Sequence, residues 1–423
     1  MEPTRAFRNN PVVFSKRLYA ARVAILGGAL CVGMPAQAQL TMTEAASAAY
    51  EYNSNVFAVP GGSPIPSPYV GTGHSSSIQT YSGDLHPTYE WSEQRLVLDL
   101  QGREQRFDSY SQLNHSEYIA RADLDWASGS RVQGTLGVFR ERRMVRFIDV
   151  VTSQLLLETE TRGNAGIIIP VGNRWRLEGD FTSKKDDSPR PGSPELSLKE
   201  QSGKAGLKYN PFSDLFVGLT SEYLKGQFSG IGTGIPASGP NGYVDYRQVE
   251  TLLVADRKTS KTDSMHAGIG YTRRTLTSGT SNISTVTGEF SYVRDITGKT
   301  SITFGVSREA NAYITTTSAE IDNVAHLGVQ WRPTGKATVK LNERWVRSKY
   351  PDWYVTVGTG PTESFYLSER DDTSRETRLE LEYQLIPQLM IRPYLTLEDR
   401  DSNIAQFKYG ATVYGLEIRG QLP

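Results

Sequence analysis

The sequence predicts an all-β chain: a transmembrane, antiparallel, up-and-down β-barrel of about eighteen strands, within two either way. Three observations predict it. Apolar and polar residues alternate with period two along almost the whole chain. Short turns and long connections take turns with a fixed parity. Aromatic residues recur at strand ends beside the short turns.

The chain has 423 residues, and its mean hydropathy of −0.43 is that of a polar protein. After the first forty residues no stretch approaches the eighteen apolar residues of a membrane helix. Such a composition ordinarily suggests a soluble protein of two or three domains. Here the apolar residues are dispersed singly, which lets a membrane barrel keep a negative mean hydropathy. Lys plus Arg equals Asp plus Glu at 46 each. A nucleic-acid partner would leave a basic excess, so none is expected.

Residues 1–38 stand apart. Arg5, Arg8, Lys16, Arg17 and Arg22 form a basic region, Val23 to Met34 is a short apolar stretch, and Ala36-Gln37-Ala38 is a small-residue cleavage site. This is the pattern of a secretory signal peptide cut after Ala38. An uncleaved anchor is the alternative, and the apolar stretch is short for it. The one cysteine, Cys31, lies in this segment behind Leu30, where lipoprotein processing wants a small residue. The mature chain, 39–423, would then offer neither a disulfide nor a thiolate site.

From about residue 44 the alternation takes over. Leu96, Leu98 and Leu100 share one face, with Arg95, Asp99, Gln101 and Arg103 on the other. Tyr118, Ala120, Ala122, Leu124 and Trp126 alternate with Glu117, Arg121, Asp123 and Asp125. The pattern returns in segment after segment as far as Tyr414 to Leu422. Two stretches are ambiguous: the unbroken apolar run Ile167 to Ile169, and Tyr246 to Val254, which fits either register.

A soluble sandwich also alternates, so the connections decide. Ser128-Gly129-Ser130, Val171-Gly172-Asn173, Asn210 to Ser213, Pro333-Thr334-Gly335 and Ile386-Pro387-Gln388 are tight, breaker-rich turns. Between them lie long connections at Asn53 to Gly83, Asp186 to Leu196, Ser229 to Gly242 and Tyr350 to Asp371. Each falls at an odd-numbered join if the strand near Tyr50 is the first. Outer-membrane barrels segregate their loops this way. Trp126, Trp175, Tyr209, Trp331 and Tyr383 flank the short turns, as an interfacial girdle would. In hydrocarbon every backbone N–H and C=O must be paired within the sheet, so the sheet must close on itself. The location expected is the outer membrane of a Gram-negative bacterium, with its lipid and lipopolysaccharide as partners.

Ala49-Tyr50-Glu51-Tyr52-Asn53-Ser54-Asn55-Val56-Phe57 opens the first strand. Gln94-Arg95 leads the third, and Leu124-Asp125-Trp126 ends the fourth. In these motifs and in layout, the chain resembles the porin-2 type β-barrels. Within them it resembles the EpsL-type proteins encoded with exosortase-associated exopolysaccharide clusters. The resemblance covers essentially the whole mature chain. It implies a role in making or exporting an extracellular polysaccharide, with polysaccharide and other export components as partners. It brings no catalytic residues. One departure is the ending Gln421-Leu422-Pro423, where many such barrels end in an aromatic residue.

His74, His86, His115, His266 and His326 are scattered without ligand spacing. His74 with Ser76 could pair as base and nucleophile, but a solvated Gly/Ser-rich loop accounts for them better. No Gly-rich phosphate loop precedes a helix. Arg140-Glu141-Arg142-Arg143 is the top of a strand leaving the membrane, with a polyanion or lipopolysaccharide contact as the alternative. No catalytic residue, cofactor or metal is therefore expected.

By parity the lumen would be lined by Arg95, Asp99, Arg103, Arg121, Asp123, Arg174, Arg176, Asp180, Lys204, Lys208, Lys340, Arg344, Arg378, Glu380 and Arg392. Asp125, Glu222, Glu382 and Glu398 share that face. These residues would pair across strands, line a hydrated channel of mixed charge, or do both. Three functions fit: a passage or assembly component for polysaccharide, a general small-solute porin, and a non-conducting structural or adhesin barrel.

Overall fold

The computed structural model describes residues 39–65, 69, 73–129, 131–147, 155–190, 193–230, 245–258, 263–277, 282–313, 317–357 and 364–422. Their strands, in chain order, are β1 (Gln39–Asn53), β2 (Ser76–Trp91), β3 (Gln94–Phe107), β4 (His115–Ser128), β5 (Val132–Met144) and β6 (Leu157–Val171). Next come β7 (Trp175–Arg190), β8 (Ser193–Phe212), β9 (Leu215–Ser229), β10 (Tyr246–Lys258), β11 (Asp263–Leu276) and β12 (Asn282–Thr297). The last six are β13 (Thr300–Tyr313), β14 (Thr317–Trp331), β15 (Ala337–Val357), β16 (Ser364–Ile386), β17 (Leu389–Ser402) and β18 (Tyr409–Leu422). Each pairs antiparallel with its neighbours in sequence, and β1 pairs with both β2 and β18. The sheet is thus a closed ring of eighteen strands, the number expected from the alternation.

Register separates the two faces. Leu96 stands opposite Leu124, which stands opposite Leu136. Val329, Leu341, Leu379 and Leu395 form a similar row across β14–β17. These rows face outward, with Leu136, Leu341, Leu379 and Leu395 exposed, as are Leu177, Leu207, Leu219, Leu253 and Ile269. So broad an apolar exterior is stable only against lipid. The ambiguous stretches now have a register. Ile167 and Ile169 face out with Ile168 between them. In β10, Val249 and Leu253 face out, while Leu252 and Val254 are buried on the inner side.

Aromatic rings bound the apolar belt. At the tight-turn end are Trp175 against Tyr209 (ring centroids 4.7 Å apart), Tyr89 against Trp91 (5.1 Å), Trp331 and Tyr383. At the other end are Tyr50, Phe181, Tyr223, Tyr271, Trp345 and Tyr414. Gly129 and Gly172 make the sharp turns after β4 and β6 at φ +60° and +63°, where a side chain would be strained.

Three expected long connections are shorter than the sequence suggests. β2 begins at Ser76, inside the stretch expected to be loop to Gly83. β7 and β8 run to Arg190 and from Ser193, and β15 and β16 run to Val357 and from Ser364. The backbone goes on pairing above the belt, where no lipid imposes apolar alternation.

In outer-membrane barrels the tight turns are periplasmic and the longer loops external. In a Cys31→Ser background, Ser111→Cys in the β3–β4 loop should therefore react with an impermeant maleimide on intact cells. Asn173→Cys in the β6–β7 turn should not. The reverse pattern would invert the barrel.

Candidate functional site

The inner wall is a lattice of charges held at fixed spacings by the ladder. Arg95 is opposite Asp125 and 3.3 Å from Glu90. Asp99 is opposite Arg121 and 3.2 Å from His86, and Arg103 is 3.4 Å from Glu117. Arg121 also pairs with Asp123. Asp180 and Lys204 face one another across β7 and β8.

Two denser arcs lie on well-separated sectors of the ring. In one, Arg176 is 2.5 Å from Glu178, and Lys208 bridges Glu178 at 2.9 Å and Asp256 at 2.7 Å. His266 continues the arc between Asp256 (2.5 Å) and Glu289 (2.9 Å), and Arg176 packs over the Phe216 ring at 4.2 Å. In the other, Lys340 is 2.7 Å from Glu382, Arg378 is 3.1 Å from Glu380, and Arg392 pairs with Glu417. Tyr394 carries this arc to Glu51 on β1, where its hydroxyl donates to the carboxylate. Single pairs of this kind contribute little to stability. Together they fix the positions of both signs of charge on the wall.

Arg174 differs. It lies in the tight turn before β7, and its Nη1 donates to the outward Tyr209 hydroxyl at 3.1 Å. Strand parity does not carry through a turn.

Arg344 lines a cavity of about 360 Å³ between β13 and β16. Its other inward lining side chains include Ser301, Thr303, His326, Gln330, Asn342 and Glu376. Gly305 and Gly328 keep this part of the wall low. A Cβ on Gly305 would come within 2.1 Å of the His326 ring. Hydroxyl, amide, imidazole, cation and carboxylate together offer donors and acceptors at close range. Among the described residues, no group of three or more His, Cys, Asp or Glu could hold a metal ion.

The loop end carries a feature that alternation does not reveal. Phe57 and Tyr69 of the first loop pack with Tyr110 and Leu113 of the β3–β4 loop and Phe147 of the β5–β6 loop. Beneath them are Ile78 and Phe107, in inward register at the ends of β2 and β3. Phe57 sits 4.7 Å from Tyr110, edge-on, and 5.2 Å from Phe147. Burying each such ring is worth roughly 1.5–3 kcal/mol. The Tyr110 hydroxyl donates to the Gly73 carbonyl, and burial holds its pKa above the ordinary value, so it stays a donor. Asn55 fastens the loop start, donating to Val59 O at 2.8 Å and Gly410 O at 3.1 Å. Ser76 has a structural place here: its Oγ donates to Ser77 O and accepts from the Ser109 amide.

Arg146, just past β5, is 2.5 Å from Glu398 on the inner face of β17. β5 and β17 are six strands apart around the ring. The contact therefore crosses the mouth rather than following the wall. Tyr409 donates to the same carboxylate at 3.2 Å.

No family model matches the sequence, and no curated protein matches it. Similar solved structures include the copper transporter OprC, at 9% identity and a TM-score of 0.47, matched over 86% of this chain and 63% of that one. The chain thus spans less than two thirds of OprC's length. OpdQ of Pseudomonas aeruginosa is similar at 12% identity and a TM-score of 0.41, over 91% of this chain and 98% of that one. OccK7 of Pseudomonas aeruginosa is similar at 14% and 0.42, over 92% and 100%. These are likenesses of fold and carry no solute with them. The closed ring, the apolar belt and its two aromatic borders make the protein an outer-membrane β-barrel.

Proposed function

We propose that the barrel is a passage for a hydrophilic solute, and that the solute is an extracellular polysaccharide strand during export. The polar inner wall carries the first part. A ring of eighteen strands is in the size range that leaves an aqueous interior. Its charges neutralise one another locally, which suits a solute that is polar but not strongly charged. The polysaccharide assignment rests on the resemblance of the Tyr50 to Phe57 segment. It is supported by the hydroxyl, amide and charged lining around Asn342 and Arg344. The packed loops over the mouth act as a lid that narrows the passage.

Planar-bilayer recording tests the passage. The purified barrel should conduct, and deleting residues 58–72 together with Arg146→Ala should raise conductance. A silent wild type opened by these changes keeps the passage and makes the loops its gate. Silence in both overturns the passage and leaves a structural barrel. The solute is tested in cells: removing the gene should abolish surface polysaccharide while leaving other outer-membrane proteins in place. Unchanged polysaccharide, with faster liposome swelling in small sugars, would make the barrel a small-solute porin.

A further inference from the structure

Just beyond the loop-end aromatic row, the outer face of β5–β11 is crowded with cations. Arg140 (β5), Lys185 (β7), Lys199 (β8), Lys225 (β9), Arg247 (β10) and Arg273 (β11) all stand at outward register positions, next beyond or near Phe181, Tyr223 and Tyr271. Two of the contacts between them are direct cross-strand pairs of like charge. Lys185 is opposite Lys199, and Lys225 is opposite Arg247. Like charges in such positions destabilise a sheet. Asp187 is 2.8 Å from Lys185, and the outward Asp263 of β11 lies at the opposite, tight-turn end of the wall.

The far side of the barrel is different. There Arg347 is 2.6 Å from Asp371, Arg375 is 2.5 Å from Glu343, and Lys408 is 2.8 Å from Asp401. Cations at the same height are thus neutralised by the protein on one arc and left in excess on the other. Their position rules against a solute in the lumen, because they point away from it. They sit where the headgroups of the outer leaflet meet the wall, with apolar belt below and water above.

We propose that the β5–β11 arc is a docking surface for a phosphorylated lipid of the external leaflet. Its phosphates would lie between the like-charged pairs, and its acyl chains would cover Phe181, Leu219, Val249 and Leu253 below. Each Lys or Arg near a layer of anionic headgroups adds to the attraction, by about fivefold in affinity. The phosphate would also remove the repulsion within each pair, so the lipid should stabilise the wall it binds.

The test uses the purified full-length barrel in neutral detergent, titrated with bis-phosphorylated lipid A and followed by native mass spectrometry and thermal unfolding. Wild type should bind this lipid more tightly than the monophosphorylated form and unfold at higher temperature with it. The double variant Lys199→Gln, Arg247→Gln should bind about 25-fold more weakly, at fivefold per charge. Without lipid it should unfold at an equal or higher temperature, because repulsion is relieved. The swap Lys199→Arg, Arg247→Lys should retain binding, and Arg347→Gln on the far side should leave it unchanged. Should the double variant refold poorly by heat-modifiable migration, Lys225→Gln alone carries the test, with a fivefold loss expected. Undiminished lipid binding in these variants overturns the proposal. So does equal protection by inorganic phosphate at matched concentration, which would make the arc a general anion site rather than a lipid surface.

Discussion

Replacing Leu341 by arginine should cost the barrel about 2–4 kcal/mol, the penalty for a cation on the lipid face near the midplane. Leu341 lies between Val329 and Leu379 in the outward row, well inside the two aromatic borders. Its neighbour Asn342 points the other way, into the cavity beside Arg344. Asn342→Glu introduces a charge of similar reach one residue along. It should change stability by less than about 1 kcal/mol, since water and Arg344 are at hand. A denaturant titration of both variants in lipid vesicles compares them directly. If Asn342→Glu were the more damaging, the two faces of the wall would be assigned the wrong way round.

A second large effect is expected at Asp372. Its carboxylate accepts from the Arg370 guanidinium at 2.6 Å and also from Arg400, and the three side chains are 2%, 1% and 6% exposed. Arg370 stacks on Phe407 at 3.5 Å and on Tyr350 at 4.5 Å, tying the short 3-10 turn Ala405–Phe407 to the wall. Asp372→Ala leaves two buried cations without their shared anion, a change of the kind that costs about 3–5 kcal/mol. Asp372→Asn keeps an acceptor and should lose less. Protease sensitivity at the β17–β18 loop should rise in the same order. A loss under about 1 kcal/mol for Asp372→Ala would show that water already screens the group.

The strands were legible in the sequence wherever one face meets lipid. There the membrane imposes period two, and Leu96 to Leu100 or Tyr118 to Trp126 declare both the strand and its orientation. Above the belt that constraint ends. Ser76 to Ser82 is continuous ladder with serine, threonine and glutamine on both faces, so hydropathy shows no strand. The ends of β7, β8, β15 and β16 were hidden for the same reason. β10 was ambiguous because its inner face carries Leu252 and Val254, which pack over Gly268 and Gly270 rather than face water.

The position of most inward charges was also legible, because parity is local. Their partnerships were not. Lys208 meets Asp256 from two strands away, and Arg146 meets Glu398 across 252 residues of chain. The lid was hidden too. Phe57, Tyr69, Tyr110 and Phe147 come from three separate loops, and no spacing within any one loop signals that they share a core. Arg174 shows the opposite error, where a rule for strands was carried one residue into a turn.

The seam between β1 and β18 has a consequence for how the wall is made. Ten residue pairs, from Glu44 with Leu422 to Asn53 with Val413, join segments from opposite ends of the barrel's strand order. Every other pairing is between consecutive strands and can form by zipping outward from a hairpin. The seam alone must wait until both of its strands exist, and it closes against the largest loss of chain entropy. Until then β1 and β18 each present a free hydrogen-bonding edge, the most aggregation-prone state of a sheet. Weakening the seam, by proline at Ala48 for example, should slow completion far more than the same insult between β7 and β8, and the unclosed sheet should accumulate as a kinetic intermediate.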